Sequence, residues 1–331
     1  MQKILIIQTA FIGDVVLATP LVEKLHFFFP EAQIDFLLRK GNEHLLTGHP
    51  FIHEVLIWDK KTAKQKNLLQ MILRIRKRKY DKIINVQRFF ATGLITVCSG
   101  AIETIGFDKN PLSALFTKKV KHAVGGKKAV HETARNLELI HAFTDDSSYM
   151  PKLYPGAADF AKIEELIKEK YITISPASVW FTKQFPASQW ISFINSISPD
   201  QTIYLLGGPD DADLCQSITG SCNRVGLISL AGKLSFLQSA ALMSRSAMNY
   251  VNDSAPMHFA SAMNAPVTVI YCSTIPEFGF GPLSEISHII QIEHPLYCRP
   301  CGLHGYSSCP QKHFRCAREI REGQLINTIP V

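Results

Sequence analysis

The sequence predicts an α/β protein of two successive domains, each a parallel sheet covered by helices. The chain has 331 residues, which is enough for two hydrophobic cores. Strand and helix patterns alternate in both halves, and 46% of the residues are hydrophobic against 19% charged, as in compact globular proteins. The polar stretch 145–158 contains two prolines and a glycine. We therefore expect a linker there and domains at 1–155 and 156–331.

The first half opens with a buried-strand pattern at residues 3–8, followed by an apolar helical stripe over 14–28. The elements predicted next are a strand at 33–38, a helix at 42–46, a strand at 54–58, a helix at 62–78 and a strand at 82–87. Apolar strands that alternate with helices are typical of a parallel sheet with helices on both faces.

The second half repeats this order. Its predicted strands are 171–175, 202–206, 249–252 and 267–271, and its predicted helices are 188–196, 210–217 and 256–263. Two Rossmann-like halves joined by one linker predict a ligand-binding cleft between them, with the ligands at the C-terminal ends of the strands.

Positive charge is confined to the first half. Residues 1–155 contain 23 Lys/Arg and 14 Asp/Glu, whereas the rest contains 12 and 14, which together give the net charge of +7. We therefore expect one domain to meet an anionic partner. The longest strongly apolar uncharged run, 89–102, is too short for the roughly 20 residues of a spanning helix, and no signal peptide is evident. The expected location is the cytoplasm.

A basic run at residues 74–79 closes the helix predicted at 62–78. The apolar side of this helix is formed by Leu68, Leu69, Met71, Ile72 and Ile75. The cations could form a solvated helix end or contact anionic lipid, at about 1 kcal/mol for each cation near the surface. Nucleic-acid binding is disfavoured because Tyr80 alone supplies a stacking ring.

The first loop, 8–14, joins the opening strand to a helix with a single glycine, Gly13. It lacks the glycine patterns of dinucleotide sites and P-loops, which disfavours a dehydrogenase or an ATPase. It does place Asp14 at the C-terminal end of a strand. Asp14 could simply complement the helix N-terminus, worth about 0.3 to 1 kcal/mol, or it could take part in chemistry.

Two loops of the second half could bind an anion. Lys183 follows a strand and a run of small residues, where it could reach a diphosphate or remain solvated. In the other loop, Asp253 or Ser254 is expected to cap a helix that has Pro256 in its first turn, where free amides favour anions. His258 could donate to a phosphate oxygen there or lie on the surface.

Taken together, these segments resemble glycosyltransferase family 9, the heptosyltransferases of the lipopolysaccharide inner core. The likeness rests on Gly13-Asp14-Val-Val-Leu-Ala-Thr19-Pro20, on the 183–190 loop, and on Asn252-Asp253-Ser254-Ala255-Pro256-Met257-His258. The order of the motifs is specific, and the similarity covers nearly the whole chain.

The resemblance implies a GT-B enzyme with an N-terminal acceptor domain, a C-terminal nucleotide-sugar domain and inverting transfer without a metal or cofactor. It implies heptose transfer from an ADP-sugar to an anionic lipid-linked saccharide by a peripheral protein at the inner face of the cytoplasmic membrane. Asp14 is then the general base, for which an ordinary low pKa suffices because the proton moves late. The other implied site residues are Gly13 and Arg135 for the acceptor, and Ser178, Lys183, Asp211, Lys233, Leu234, Asp253, Ser254, Ala255 and His258 for the donor.

Some positions leave alternatives open. Ala255 stands where the family often has glycine, which affects how closely the backbone approaches the phosphates. Trp180 stands where a polar or basic residue is frequent in the family, which leaves the identity of the transferred sugar open. Arg135 and His131 share one helical face, which we expect to be exposed or to bind an acceptor phosphate. Another nucleotide-sugar donor, a nucleotide-sugar epimerase and a non-catalytic binding protein are the competing functions.

Four cysteines, Cys298, Cys301, Cys309 and Cys316, lie within 19 residues, and His313 lies among them. Such a group could hold structural zinc. The later spacings are atypical of zinc ribbons, so reduced, packed thiols are the favoured interpretation.

Overall fold

The computed structural model describes residues 1–122, 130–167 and 170–330. The chain forms two compact units, Met1–Tyr154 and Pro155–Val331. Within the described residues each unit contains one six-stranded sheet whose strand pairs are all parallel.

In the first unit β1 lies at the centre of the sheet, in the order β3-β2-β1-β4-β5-β6. The strands are β1 (Lys3–Ile7), β2 (Gln33–Arg39), β3 (Glu54–Trp58), β4 (Lys82–Asn85), β5 (Glu103–Phe107) and β6 (Lys118–Val120). The helices are α1 (Ile12–Val16), α2 (Thr19–Phe28), α3 (Lys64–Arg78), α4 (Phe90–Val97) and α5 (Glu132–Leu137). Ile4 to Ile7 are fully buried, which explains the continuous apolar run that predicted this strand.

The helix predicted at 14–28 is two helices, α1 and α2, because of Pro20. Proline has no N–H to donate to Val16, so the α-helical ladder cannot continue through this point. The Thr19 hydroxyl donates to the Val16 carbonyl at 2.8 Å instead. The expected helix at 42–46 is a short 3₁₀ helix, Glu43–Leu46. The break leaves α1 as a five-residue helix that carries Asp14.

In the second unit the sheet order is β12-β11-β10-β7-β8-β9. The strands are β7 (Tyr171–Ser175), β8 (Thr202–Leu205), β9 (Leu227–Ser229), β10 (Asn249–Asn252), β11 (Val267–Tyr271) and β12 (Ser287–Gln291). The helices are α6 (Ala157–Glu164), α7 (Ala187–Ser196), α8 (Ala212–Ser221), α9 (Phe236–Ser244), α10 (Ala255–Ala262), α11 (Arg315–Arg318) and α12 (Glu322–Ile326). Trp190, Phe193 and Tyr250 are fully buried in its core.

Local chemistry moved two predicted boundaries in this unit. Helix α6 begins inside the expected linker 145–158, where the Asp159 carboxylate accepts the Gly156 N–H at 2.9 Å and stabilises the first turn. The helix expected at 210–217 begins with a 3₁₀ turn, Pro209–Asp211, and continues as α8. Among the described residues, every helix is too short or too polar to span a bilayer.

The turn after β8 leaves no room for a side chain at Gly207. A Cβ at this position would lie 2.7 Å from the Asp211 Cβ. We expect Gly207→Ala to lower the free energy of unfolding by about 1 to 3 kcal/mol, because the turn must shift to relieve the overlap. Urea unfolding monitored by tryptophan fluorescence measures this loss.

The matched control is Gly323→Ala in α12 of the same unit, where a new Cβ meets nothing within 4 Å. Equal stabilities of the two variants would contradict the packing argument.

Candidate active site

Asp14 follows the central strand of the first unit and is the third residue of α1. Its Oδ2 atom accepts the Phe11 N–H at 3.1 Å, so the expected contact with the helix N-terminus is present. Gly13 precedes it in the first turn, and both residues are partly exposed. Asp14 thus lies at the edge where the strands of the first sheet end.

The surroundings of Asp14 change its acidity. Burial raises the pKa of the carboxyl to about 6, and the negative charge of Glu132 acts in the same direction. Hydrogen bonds from the Phe11 and Asp14 amides and the positive charge of Arg39 lower this pKa, but they do not cancel the effect of burial. The pKa of Asp14 is therefore higher than that of an ordinary aspartate, because desolvation outweighs the local hydrogen bonds and the charge of Arg39.

Two cations near this loop were missed by sequence reasoning. Arg39 ends β2 and lies over the Phe11 ring, with 4.8 Å between the guanidinium carbon and the ring centroid. Lys60 follows β3, and its Nζ donates to the Thr9 carbonyl at 2.9 Å. Burial, followed by the charge of Arg39, lowers the pKa of Lys60. Their positions at the ends of β2 and β3, the two strands on one side of β1, were the signal that could have found them.

Arg135 is buried, contrary to the prediction of an exposed helical face. Its Nε donates to Glu132 Oε2 at 2.7 Å, and a guanidinium N–H donates to the Val130 carbonyl. A buried arginine needs such partners, and the glutamate three residues earlier supplies the opposite charge. Arg135 therefore balances the glutamate that acts on Asp14, and an acceptor-binding role for it remains a prediction.

In the second unit the structure brings Lys183 and Asp253 together. Lys183 Nζ lies 2.8 Å from Asp253 Oδ2. Thr274 follows β11, and its hydroxyl donates to the same Asp253 oxygen at 2.6 Å. Asp253 is buried and carries these two contacts rather than a capping hydrogen bond.

Asn252, which sequence reasoning missed, holds the Lys183 loop on β10. Its Nδ2 donates to the Pro176 carbonyl at 2.7 Å, and its Oδ1 accepts the Phe185 N–H at 3.0 Å. Thr182 is fixed from the other side, where its Oγ1 accepts the Ser273 hydroxyl at 3.0 Å. These polar groups are buried, so their hydrogen bonds define the position of Lys183.

The predicted side-chain cap of α10 is wrong. Ser254 occupies the N-cap position, but among the described residues its hydroxyl contacts only the Asn252 carbonyl, at 3.4 Å. Ala255 is the first helical residue, and Pro256 follows it. His258 is buried, so the alternative of a surface histidine is wrong as well. The helix N-terminus therefore presents backbone amides next to Asp253.

The remaining predicted donor residues follow other strands of the same sheet. Ser178 follows β7, and its carbonyl accepts from Gln184 Nε2 at 2.5 Å. Asp211 follows β8, where its Oδ2 accepts the Gly208 N–H at 2.8 Å. Lys233 follows β9 and donates to the Ser229 carbonyl at 2.9 Å, next to the half-buried Leu234. Because the strands are parallel, all these loops lie at one edge of the sheet.

The cysteine-rich segment packs against the Lys183 loop. The Cys301 N–H donates to the Ser273 carbonyl at 3.0 Å, and the Tyr306 N–H donates to Thr182 Oγ1 at 2.8 Å. Cys298 Sγ lies 3.8 Å from His313 Nε2. Burial, followed by the neighbouring thiols, raises the pKa of Cys316 to about 12.

These thiols do not fit a zinc site as they stand. Around a tetrahedral zinc ion four sulfurs lie about 4 Å apart. Among the described residues, only Asp35, His53 and Glu54 form a group whose ligand atoms all lie within 4.8 Å of one another. That group is already bonded to cations, with Arg78 at 3.0 Å from Asp35 Oδ2. The contacts of this segment described above are its hydrogen bonds to Ser273 and Thr182.

Comparison with known proteins places this architecture in a family. The model of "Glycosyltransferase family 9 (heptosyltransferase)" matches residues 68–305. Lipopolysaccharide heptosyltransferase 3 of Escherichia coli is 27% identical over 281 residues, which cover 80% of this chain and 82% of that protein.

Two solved structures share the fold. A glycosyltransferase family 9 protein from Veillonella parvula superimposes with a TM-score of 0.78 at 21% identity, covering 87% of this chain and 85% of that one. The E. coli ADP-heptose lipopolysaccharide heptosyltransferase II has a TM-score of 0.77 at 19% identity and covers 98% and 99%. The predicted α/β fold class, two Rossmann-like domains of the GT-B type, is confirmed. The chain belongs to glycosyltransferase family 9 and is a glycosyltransferase.

Proposed function

We propose that this enzyme transfers heptose from ADP-heptose to an inner-core acceptor of lipopolysaccharide, with inversion at the anomeric carbon. The names of its relatives support the sugar and the pathway, since one acts as a lipopolysaccharide heptosyltransferase and another is described with ADP-heptose. The observation that carries the proposal is Asp14, a carboxylate with a raised pKa at the end of the central strand of the first sheet.

Asp14 is proposed as the general base. A sugar hydroxyl is a weak nucleophile, and a carboxylate within hydrogen-bond reach of it gains about 10² to 10⁴-fold in rate. A pKa of about 6 leaves Asp14 mostly ionised at neutral pH and makes it a stronger base than an ordinary aspartate. Direct attack by the activated hydroxyl on the anomeric carbon inverts its configuration. Gly13 and Arg135 are proposed to border the acceptor.

Lys183 and the backbone amides of α10 are proposed to stabilise the departing diphosphate. Negative charge builds up on this group as the glycosidic bond breaks, and fixed donors aimed at it lower the barrier without a metal ion. Asp253 holds the ammonium group of Lys183 in place, and the Thr274 hydroxyl donates to the same Asp253 oxygen. The proposed donor site is completed by Ser178, Asp211, Lys233, Leu234, Ser254, Ala255 and His258.

The first unit is proposed to bind the acceptor, an anionic lipid-linked saccharide, at the inner face of the cytoplasmic membrane. Arg39 and Lys60 lie beside the loop that leads to Asp14, where they can meet phosphate or carboxylate groups. Residues 1–155 carry the surplus of nine positive charges. We infer a peripheral contact with anionic lipid from the same charge.

Replacement of Asp14 tests the proposal. We expect Asp14→Asn and Asp14→Ala to lose at least about 100-fold in turnover, because no base then takes the acceptor proton. ADP binding should stay within about twofold of wild type, since Asp14 belongs to the acceptor unit. A coupled assay of ADP release and calorimetric titration with ADP measure these two quantities. Near-wild-type turnover would show that Asp14 is not the base and only stabilises the helix N-terminus.

The stability of Asp14→Asn provides the folding control. Burial disfavours the charged carboxylate, so Asp14 contributes most to stability when protonated, below its ordinary pKa of 3.8, and this contribution is lost as the pH rises through about 6. The Asn variant should therefore melt at or above the wild-type temperature at pH 8.

Mass spectrometry of the products distinguishes the functions: a heavier acceptor indicates transfer, an isomerised donor indicates an epimerase, and neither indicates a binding protein.

The acid limb of the activity should follow the charges around Asp14. We expect kcat/KM to fall tenfold per pH unit below about 6 as the base becomes protonated. Glu132→Gln removes a repelling charge and should move this limb to lower pH, whereas Arg39→Gln removes an attracting charge and should move it to higher pH. Glu138→Gln, at the exposed end of α5, is the matched control and should shift nothing. Shifts of the same sign in both variants would exclude Asp14 as the titrating base.

Lys183→Gln should weaken ADP binding by about 10 to 100-fold, because a charge-assisted hydrogen bond to the diphosphate is lost. The variant also leaves the Asp253 carboxylate facing the diphosphate, so Lys183→Gln combined with Asp253→Asn should recover part of the affinity. Thermal shifts with a panel of nucleoside diphosphates report binding and base preference together. Lys162→Gln, which affects an exposed ion pair on α6, is the control. An unchanged ADP affinity in Lys183→Gln would remove this residue from the site.

A further inference from the structure

Helix α3 has two apolar faces, and only one of them packs against the protein. Met71, Ile72 and Ile75 are buried in a hydrophobic core that they share with strands of the first sheet. Leu69 and Leu73 each expose 58% of their surface. Sequence reasoning assigned Leu69 to the packing side, and the structure places it in solvent. Residues four apart lie on one helical face, so the two leucines form a single exposed apolar patch.

Cations surround this patch. Helix α3 contains six Lys/Arg and no Asp/Glu. Arg74 pairs with Glu54 at 2.7 Å, and Arg78 pairs with Asp35 at 3.0 Å. The other four cations form no ion pair within the described part of the chain; they are Lys64, Lys66, Arg76 and Lys77.

The spacing places two of these cations at the two ends of the leucine patch. Lys66 precedes Leu69 by three residues, and Lys77 follows Leu73 by four, so all four side chains share one face. Ile102, in the loop after α4, exposes 78% of its surface. Arg76 lies next to this loop, since a Cβ atom at Gly100 would be 3.7 Å from the Arg76 Cγ. The exposed face thus combines apolar side chains with uncompensated positive charge.

Helix α3 also begins close to the loop that leads to Asp14. It follows β3, and Lys60 between them donates to the Thr9 carbonyl in the β1–α1 loop. From there its 15 residues extend for roughly 22 Å along the unit. A surface bound along α3 would therefore come close to the edge of the sheet that carries the proposed base.

We propose that the face of α3 formed by Lys66, Leu69, Leu73 and Lys77 docks on an anionic lipid bilayer. Leucines that enter the interfacial region and lysines that meet lipid phosphates are the features of helices that lie in a membrane surface. Complementary charge favours this occupant. Four side chains are far fewer than the roughly 20 to 30 residues that each partner contributes to a stable protein interface. The helix also offers no aromatic side chain on which nucleobases could stack.

The inference deepens the membrane contact of the proposed function and rests on it, but its test requires no sugar transfer. The 331-residue chain is incubated with vesicles containing about one third phosphatidylglycerol in phosphatidylcholine, and with pure phosphatidylcholine vesicles. Flotation measures the bound fraction. We expect binding to the anionic vesicles only, and a decrease in this binding as salt is raised.

Two double variants separate the apolar from the charged contribution. L69S with L73S and K66E with K77E should each reduce vesicle binding at least fivefold. L115S, at an exposed leucine outside α3 with 64% of its surface accessible, should bind like wild type. All variants should keep the ADP-induced thermal shift, which shows that they fold. A protein that binds vesicles but transfers no sugar would contradict the proposed function and leave this inference standing.

Several outcomes would overturn the inference. These are undiminished vesicle binding by L69S with L73S, equal binding to neutral vesicles, and loss of binding in L115S. Single-stranded RNA that displaces the vesicles would assign the cations to nucleic acid. A dimer in analytical ultracentrifugation that L69S with L73S dissociates would assign the leucines to a second copy of the chain.

Discussion

The parallel arrangement of the strands is the constraint on which the rest of this structure depends. In a parallel sheet every strand ends at the same edge, so residues far apart in sequence meet there without any long loop. Arg39, Lys60 and Asp14 follow three adjacent strands of the first sheet. Lys183 and Asp253 follow adjacent strands of the second and come within 2.8 Å of each other. The chemistry of each unit is concentrated where its topology gathers the loops.

Asp14 in the first unit and Asp253 in the second lie in opposite electrostatic environments. Burial and the charge of Glu132 raise the pKa of Asp14, and the nearby cations offset only part of this effect. Asp253 lies against an ammonium group and a hydroxyl, which compensate its charge. A carboxylate of the first kind is ready to accept a proton, whereas one of the second kind fixes the position of a cation. The same residue type thus suits the proposed base in one unit and holds the proposed anion-binding lysine in the other.

Sequence reasoning predicted eight of the twelve strands in the described residues, missed β5, β6, β9 and β12, and predicted few of the polar contacts. Buried strands such as Ile4 to Ile7 produce continuous apolar runs that depend on local sequence alone. Hydrogen bonds such as that from Phe185 to Asn252 join residues 67 positions apart and leave no local pattern. The burial of Arg135 depends on packing of α5, where Asn136 donates to the Leu17 carbonyl at 3.0 Å. Asp14 and Lys183 could be named as candidates from sequence because glycine and small residues mark their loops.

The surplus charge of the first half has two different uses, and only the structure separates them. Arg74 and Arg78 at the end of α3 bond Glu54 and Asp35, where β2 and β3 begin, so these cations brace the sheet. Tyr80 also donates to Asp35 in this network. Among the cations that form no ion pair within the described residues are Lys64, Lys66, Arg76 and Lys77 of the same helix, and Arg39 and Lys60 beside the Asp14 loop. Net charge counted from sequence therefore overstates the charge available to an anionic partner, because the paired cations are already compensated.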